Sequence, residues 1–405
     1  MVPATPAYLS APRARRAVLG ALLACAAAVI SACSGMGDLF NTGSPSTPPP
    51  PAQPESTAIG TGQVRVAMIL PLSAGGNAGI AAQSMKNAAE MALAEFNSPN
   101  VQLLLKDDAG TAGGAQQAAQ QAVQEGAEII LGPLFAHSVG AVGGVARSRG
   151  IPVIAYSTDA SVAARGVYLL SFLPETDVNR IVDYATANGK RSFAAMLPDN
   201  AYGTVVEGEF KQAVARKGAR IVALERYDLD PAKMQTPARL VAQAARGADA
   251  VFVPDGADAV PTVVQALATA GLNTRRVQLL GTGLWDDPRI SADQALQGAW
   301  FAAPDSAGFR NFSARYRSRY GQDPVRTATL AYDSVALVAA LVKTQGDQRF
   351  TDQVLTNPSG FSGIDGLFRF RNDGTNQRGL AVFRVAPGGA QIVSPPPRAF
   401  GGSGT

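Results

Sequence analysis

Residues 64–96 read VRVAMILPLSAGGNAGIAAQSMKNAAEMALAEF. Apart from Arg65, the opening run Val64–Leu70 is apolar throughout, with no alternation of polar positions. That is the pattern of a strand covered on both faces. In Asn77–Phe96, Ala82, Met85, Ala89, Leu93 and Phe96 recur at every third or fourth residue, a single apolar stripe along a helix. A doubly covered strand followed by an amphipathic helix opens a βαβ unit, and it sets the fold class as α/β with a parallel sheet.

Working outward, the same alternation continues. Val101–Leu105, Glu128–Leu131 and Pro152–Ala155 read as strands, with helices over Gln116–Gln124 and Ser138–Arg149. The rhythm then restarts with strands at Ser192–Leu197, Ala219–Leu224, Ala250–Pro254 and Val277–Gly281. Helices are expected near Tyr202–Lys217, Pro237–Arg246 and Ala259–Ala270, followed by Phe309–Tyr320 and Ala328–Lys343. Two such units make a two-lobed protein. Leu367–Arg371, a turn at Asn372-Asp373-Gly374 and Leu380–Val385 read as an antiparallel hairpin. Residues 394–405, SPPPRAFGGSGT, read as a disordered tail.

The composition narrows the chemistry. Of 405 residues, 46% are hydrophobic and 16% charged, a globular balance. One histidine, His137, and two cysteines, Cys25 and Cys33, are too few for a His/Cys zinc site or a disulfide framework. No metal, cofactor or catalytic residue is expected. Arg13, Arg15 and Arg16 precede the apolar run Ala17–Ile30, which is too short and alanine-rich for a membrane span and reads as a secretory segment. It ends in Ile30-Ser31-Ala32-Cys33, which resembles a bacterial lipobox. The expectation is a leader over 1–32 and lipidation at Cys33. A proline-rich linker over 33–61 would then hold the body off a bacterial membrane, the outer one. Losing the leader's three arginines takes the formal charge from +4 to +1, so no nucleic-acid partner is expected.

Several stretches in order resemble the type I periplasmic solute-binding proteins, in particular the branched-chain amino-acid (leucine) binding branch. They are VRVAMILPLS from Val64, KDDAGT from Lys106, ILGPL from Ile130 and GIPVIAYS from Gly150, then LPDNAYG from Leu197 and AVFVPDG from Ala250. LLGTG from Leu279, GAWFAAP from Gly298 and GLFRFRNDGTNQRGLAVFRV from Gly366 complete the series. The resemblance implies two doubly wound parallel-sheet lobes joined by three crossover segments. Residues 62–172 with 303–362 would form the first lobe, and 173–302 with 363–393 the second. Leu70-Pro71-Leu72-Ser73 and Gly132-Pro133-Leu134 are also similar to the lipoprotein activators of penicillin-binding proteins, which carry a domain of this fold; the helical-repeat domain that precedes it in the best-known activators is not expected here, where only the proline-rich spacer is read.

In a fold of this kind ligands gather at the carboxyl ends of the strands. The resemblance places the family's carboxylate-holding serine on Ala136, with Ser138 nearby, and its threonine at or next to Asp159. Its ammonium-pairing acid falls near Gly283, with Asp286 or Asp255 as replacements. Tyr202 matches a ligand-facing aromatic. The candidate ligand-binding residues are Ser138, Ser157, Thr158, Tyr202 and Asp255. Plainer roles stand beside these: Ser138 as the N-cap of its helix, His137 making local bonds at the helix start, Asp107-Asp108 and Asp286-Asp287 as caps or turns. Trp285 reads as a stacking side chain and Trp300 as core. The expected function is a non-enzymatic, lipid-anchored periplasmic protein that closes on a small polar ligand, an amino acid or a relative, for a membrane permease. The alternative is a protein-interaction module that activates a peptidoglycan synthase.

Overall fold

The computed structural model describes residues 58–96 and 99–400. The expected leader, Cys33 and most of the proline-rich linker lie outside the described residues.

The first lobe opens with β1 (Ala58–Ile59), β2 (Val64–Leu70), α1 (Gly76–Glu95), β3 (Val101–Asp107) and α2 (Ala112–Gln124). It continues through β4 (Ile129–Leu131), α3 (Ala136–Arg147), β5 (Val153–Ala155) and β6 (Val167–Leu169). The sheet order is β1-β3-β2-β4-β5-β6. All neighbours are parallel except β1, which lies antiparallel on β3 through the pairs Ala58–Leu104 and Ile59–Leu103. Met68, Leu103 and Ile154 pack one face of the sheet against α1, while Ala67, Ile130 and Val153 pack the other against α2 and α3. Because both faces are covered, these strands carry no polar alternation.

The second lobe comprises α4 (Pro174–Ala187), β7 (Ser192–Pro198), α5 (Ala201–Arg216), β8 (Arg220–Tyr227) and α6 (Pro231–Ala244). It goes on through β9 (Ala250–Phe252), α7 (Val260–Thr269), β10 (Gln278–Gly281), the short α8 (Pro288–Ala292) and β11 (Trp300–Ala303). After β11 the chain returns to the first lobe, where α9 (Ser306–Tyr320) and α10 (Ala328–Thr344) pack beside α1, followed by the short α11 (Asp352–Leu355). Three short strands, β12 (Phe361–Gly363), β13 (Gly366–Phe370) and β14 (Asn376–Arg378), form a small antiparallel sheet. The chain then goes back to the second lobe as β15 (Ala381–Ala386) and β16 (Gly389–Ser394), giving the order β16-β15-β11-β10-β9-β7-β8. The chain therefore passes between the lobes three times, at 170–173, 304–305 and 379–380, and the two-lobed parallel architecture is as expected.

Four expectations are corrected. The strand over Leu380–Val385 does not pair with Leu367–Arg371: β13 closes its hairpin with β14, and β15 instead lies antiparallel on β11 and β16. The last crossing consequently falls at Gly379-Leu380 rather than at residue 363, because Phe361, Phe368 and Phe370 pack into the first lobe's core. Residues 394–400 of the tail expected to be disordered are held: the Arg180 guanidinium donates to the Ser394 hydroxyl at 2.6 Å, and the Arg369 guanidinium lies 4.6 Å from the Phe400 ring centre. Finally, α6 starts six residues before Pro237, at Pro231, where the Asp230 side chain accepts from Ala232 N at 2.9 Å.

Candidate functional site: the wall of the second lobe

In each sheet the strand order reverses once, between β2 and β4 in the first lobe and between β7 and β9 in the second. The loops that leave the sheets there are where an open α/β sheet builds a site.

In the second lobe the building starts at α5. Asn200 caps the helix, its side-chain oxygen accepting from Gly203 N at 2.8 Å. Gly203 has no substitute, since a Cβ there would lie 1.9 Å from the Pro198 carbonyl oxygen. This tight start sets Tyr202 in the first turn, where its hydroxyl shares a 3.0 Å hydrogen bond with that of the fully buried Thr282. The loop holding Thr282 is fixed in turn by Trp285, which is fully buried and donates its indole N–H to the Val253 carbonyl at 3.1 Å. At the end of β8, the Tyr227 hydroxyl donates to the Asp255 carboxylate. From the first turn of α4, Asp177 accepts from Gly283 N at 2.9 Å.

These groups share one field. Burial drives the Asp177 carboxyl up to about 7, against the Gly283 N–H and the positive charge of Arg378. Burial also raises Glu175, helped by the charges of Glu209 and Asp159. The Tyr202 phenol is pushed above its ordinary range by burial, with Asp177, Asp255 and Glu175 adding to the effect. The wall is thus made of carboxylates and hydroxyls, suited to a ligand that donates hydrogen bonds or carries an ammonium group.

The first lobe contributes the loop after β5. Ser157 is buried and accepts from Asp159 N at 3.1 Å, while Thr158 and Asp159 are exposed. Asp159 caps the following turn through Ser161 N at 2.9 Å, and its charge reaches Glu175 across the lobes. Asp107 ties two loops together, accepting from Ser73 N at 3.2 Å and Ala109 N at 2.9 Å, while the buried Asp108 accepts from Gly110 N at 2.9 Å. Both aspartates serve as the loop caps they were expected to be.

Tyr202 and Asp255 are therefore on one wall, and Ser157 and Thr158 come from the other lobe. Ser138 does not join them. It is neither N-cap nor loop residue: Phe135 is the cap position, and Ser138 is sealed inside the first turn of α3, its hydroxyl 3.5 Å from the Thr111 carbonyl. His137 is exposed, with Nε2 3.0 Å from the Gly110 carbonyl oxygen, a local bond at the helix start. Both tryptophans pack into the second lobe, so Trp285 is not the stacking side chain it was read as. Trp285 is core, and Trp300 is half-buried edge-on to Tyr184 with ring centres 5.0 Å apart.

Sequence reasoning missed Glu175, Asp177 and Tyr227. A signal for the first two was present: Pro174 at the first helical position, acids in the first turn, then the stripe Val178, Ile181, Val182 and Ala185.

Two lobes facing each other with polar strand-end loops define a binding protein rather than a single doubly wound domain. The chain belongs to the periplasmic binding protein family, whose model matches residues 63–390. Among solved structures it is similar to one from Rhodospirillum rubrum assigned as a branched-chain amino acid ABC transporter protein, at 18% identity and a TM-score of 0.72 over 82% of this chain and 99% of that one. A branched-chain amino acid ABC transporter periplasmic ligand-binding protein from Burkholderia xenovorans matches at 17% identity and 0.65, over 84% and 97%. An ABC transporter solute-binding protein from Rhodopseudomonas palustris, in complex with 3,4-dihydroxybenzoic acid, matches at 21% and 0.58, over 83% and 97%. No curated protein matches the chain. Among the described residues, no helix is long and apolar enough to cross a membrane, and no group of three or more His, Cys, Asp or Glu could hold a metal ion.

Proposed function

We propose that this chain is the lipid-anchored, periplasmic solute-binding component of an ABC-type permease, closing on a small polar ligand, an amino acid or a relative. The observation that carries the reading is the second-lobe wall: Tyr202 on Thr282, Tyr227 on Asp255 and Asp177 on Gly283 N, opposite the exposed Thr158 loop. Carboxylates and hydroxyls held in advance by their own neighbours need little reordering to accept a ligand's donors. Closure would bring the lobes together about the three crossings, a hinge motion that a permease can read. The protein binds and releases; it performs no reaction.

One feature favours a second reading, an activator of a peptidoglycan synthase that uses the same fold as an interaction module. Both first-lobe serines are buried with their hydroxyls already engaged, which leaves that lobe few groups for a solute.

Native mass spectrometry of the purified chain, before and after unfolding, separates the two. An extra mass that disappears on unfolding supports solute binding. A clean mass, with no thermal shift across amino acids, aromatic acids and muropeptides, rejects it in favour of the activator. A ligand at 100 times its dissociation constant stabilises by about 2.7 kcal/mol, a shift that such a scan detects.

A further inference from the structure

A cavity of about 770 Å³ lies between α4 and α5 on one side and the β13–β14 hairpin and residues 395–400 on the other. Of the wall residues, only Glu175 lines it. Three of its lining residues hold polar atoms that are buried and have no hydrogen-bond partner: Glu175 Oε2, Asn376 Oδ1, and both Nη1 and Nη2 of Arg378. Asn376 and Arg378 are only 2% and 4% exposed. A buried charge with two unused donors is costly, and buried polar groups are as a rule satisfied.

Of the other charges around this cavity, Arg371 is exposed with no side-chain partner among the described residues, Asp373 accepts from Thr375 N at 2.8 Å, and the rest are paired or bonded. Arg216 pairs with Glu209 at 2.7 Å and Lys217 with Asp183 at 2.9 Å. Arg180 donates to the Leu380 carbonyl at 2.9 Å and to the Ser394 hydroxyl. Among the buried lining groups, what remains is a donor pair on Arg378 and acceptors on Glu175 and Asn376. Two free Nη groups of one guanidinium match the two oxygens of a carboxylate. The acceptors call for a hydrogen-bond donor a few bonds away from it.

We infer that this cavity is a second ligand site, separate from the interlobe wall, for a small amino or hydroxy acid. The carboxylate pairs with Arg378, and the amino or hydroxyl group donates to Glu175 and Asn376. Its walls come from the second lobe's helices and from a hairpin whose Phe368 and Phe370 sit in the first lobe's core, so an occupant links the two lobes.

The test is calorimetric titration of the full chain with L-alanine, L-lactate and propylamine. The variant Gln212→Trp adds an indole at an exposed lining position of α5 and so fills the cavity without disturbing the core. L-Alanine and L-lactate bind to the wild type and to Tyr202→Ala, and lose that binding in Gln212→Trp. Propylamine, which has no carboxylate, shows no binding sensitive to Gln212→Trp. Arg378→Lys keeps the charge but not the fork and weakens both acids at least tenfold. Absence of binding, or binding that Gln212→Trp leaves unchanged, overturns the proposal and assigns the unpartnered atoms to water. Binding lost only in Tyr202→Ala overturns it while leaving the interlobe site standing.

Discussion

Asp333, at 3% exposure on α10, accepts from Ile364 N at 2.8 Å through one oxygen and has no partner for the other. Burial raises its pKa to about 7 and the charge of Asp365 adds to this, against the Ile364 N–H and the charges of Arg378 and Arg326. A carboxyl with a raised folded-state pKa holds its proton in the native state where the unfolded chain has lost it. Its stabilising contribution is complete below the unfolded value and disappears as the pH rises through the folded one. Stability to urea is expected to fall from pH 5 to pH 8, and Asp333→Asn, which keeps the Ile364 contact, is expected to flatten part of that fall. Three pKa units set a ceiling of about 4 kcal/mol. A second substitution acts on the wall itself. Tyr202→Phe leaves the fully buried Thr282 hydroxyl without its partner. An unsatisfied buried group costs about 1–3 kcal/mol, and denaturant unfolding measures it; if stability is unchanged, the bond does not hold the wall.

At the scale of elements, the start of α5 governs the site. Gly203→Ala puts a Cβ 1.9 Å from a backbone oxygen that cannot yield, so the first turn must shift and take Tyr202 with it. We expect a loss of about 1–3 kcal/mol, typical of overpacking, together with weaker solute binding. Asn200→Ala, which removes only the cap, is expected to cost about 1 kcal/mol with a smaller effect on binding. Thermal melts and ligand titrations of the pair check this order. The elements legible in the sequence are those whose signal is local. Val64–Leu70 and Ser192–Leu197 are apolar because both faces are covered, and α1 shows its stripe. Where tertiary partners decide, the sequence was silent or misleading. Pro237 reads as a helix start, yet the cap at Asp230 begins the helix earlier and carries it through the proline. The run Leu380–Val385 states its β character but not its partner, which a turn of Asn-Asp-Gly places wrongly on Leu367–Arg371. Ser138 and Trp285 both follow strands and could have been loop residues; the packing of α3 and the loop after β10 draws them inside. Asp177 and Tyr227 acquire their place only when distant loops converge.

For the whole molecule, the first crossing is held by stacked charges and backbone hydrogen bonds. The Phe172 ring lies between two guanidinium groups, Arg326 at 4.5 Å and Arg378 at 4.6 Å from its centre, and Arg326 stacks again on Phe309 at 4.5 Å. The Ser171 carbonyl accepts from Arg378 Nε at 2.9 Å and from the Asn376 amide at 2.8 Å. Such cation–ring contacts contribute about 0.5–2 kcal/mol each. Phe172→Leu is expected to keep the fold but broaden the range of interlobe angles, seen as a larger radius of gyration in X-ray scattering. A scattering curve identical to the wild type would mean that the stack does not restrain the hinge.

The strand Ala58–Ile59 has a further consequence for how such a motion is felt. It joins the outer edge of the first lobe's sheet and has no pairing with the second. Any pull on the chain ahead of residue 58 is therefore delivered to the first lobe alone. With the N-terminus held, that lobe would be the stationary jaw, and the second, carrying Tyr202, Asp255 and Asp177, the one that swings. A receptor on a surface to which the N-terminus is attached would see most of the displacement on the second lobe, and mutations that alter such a docking step without altering the ligand would concentrate there.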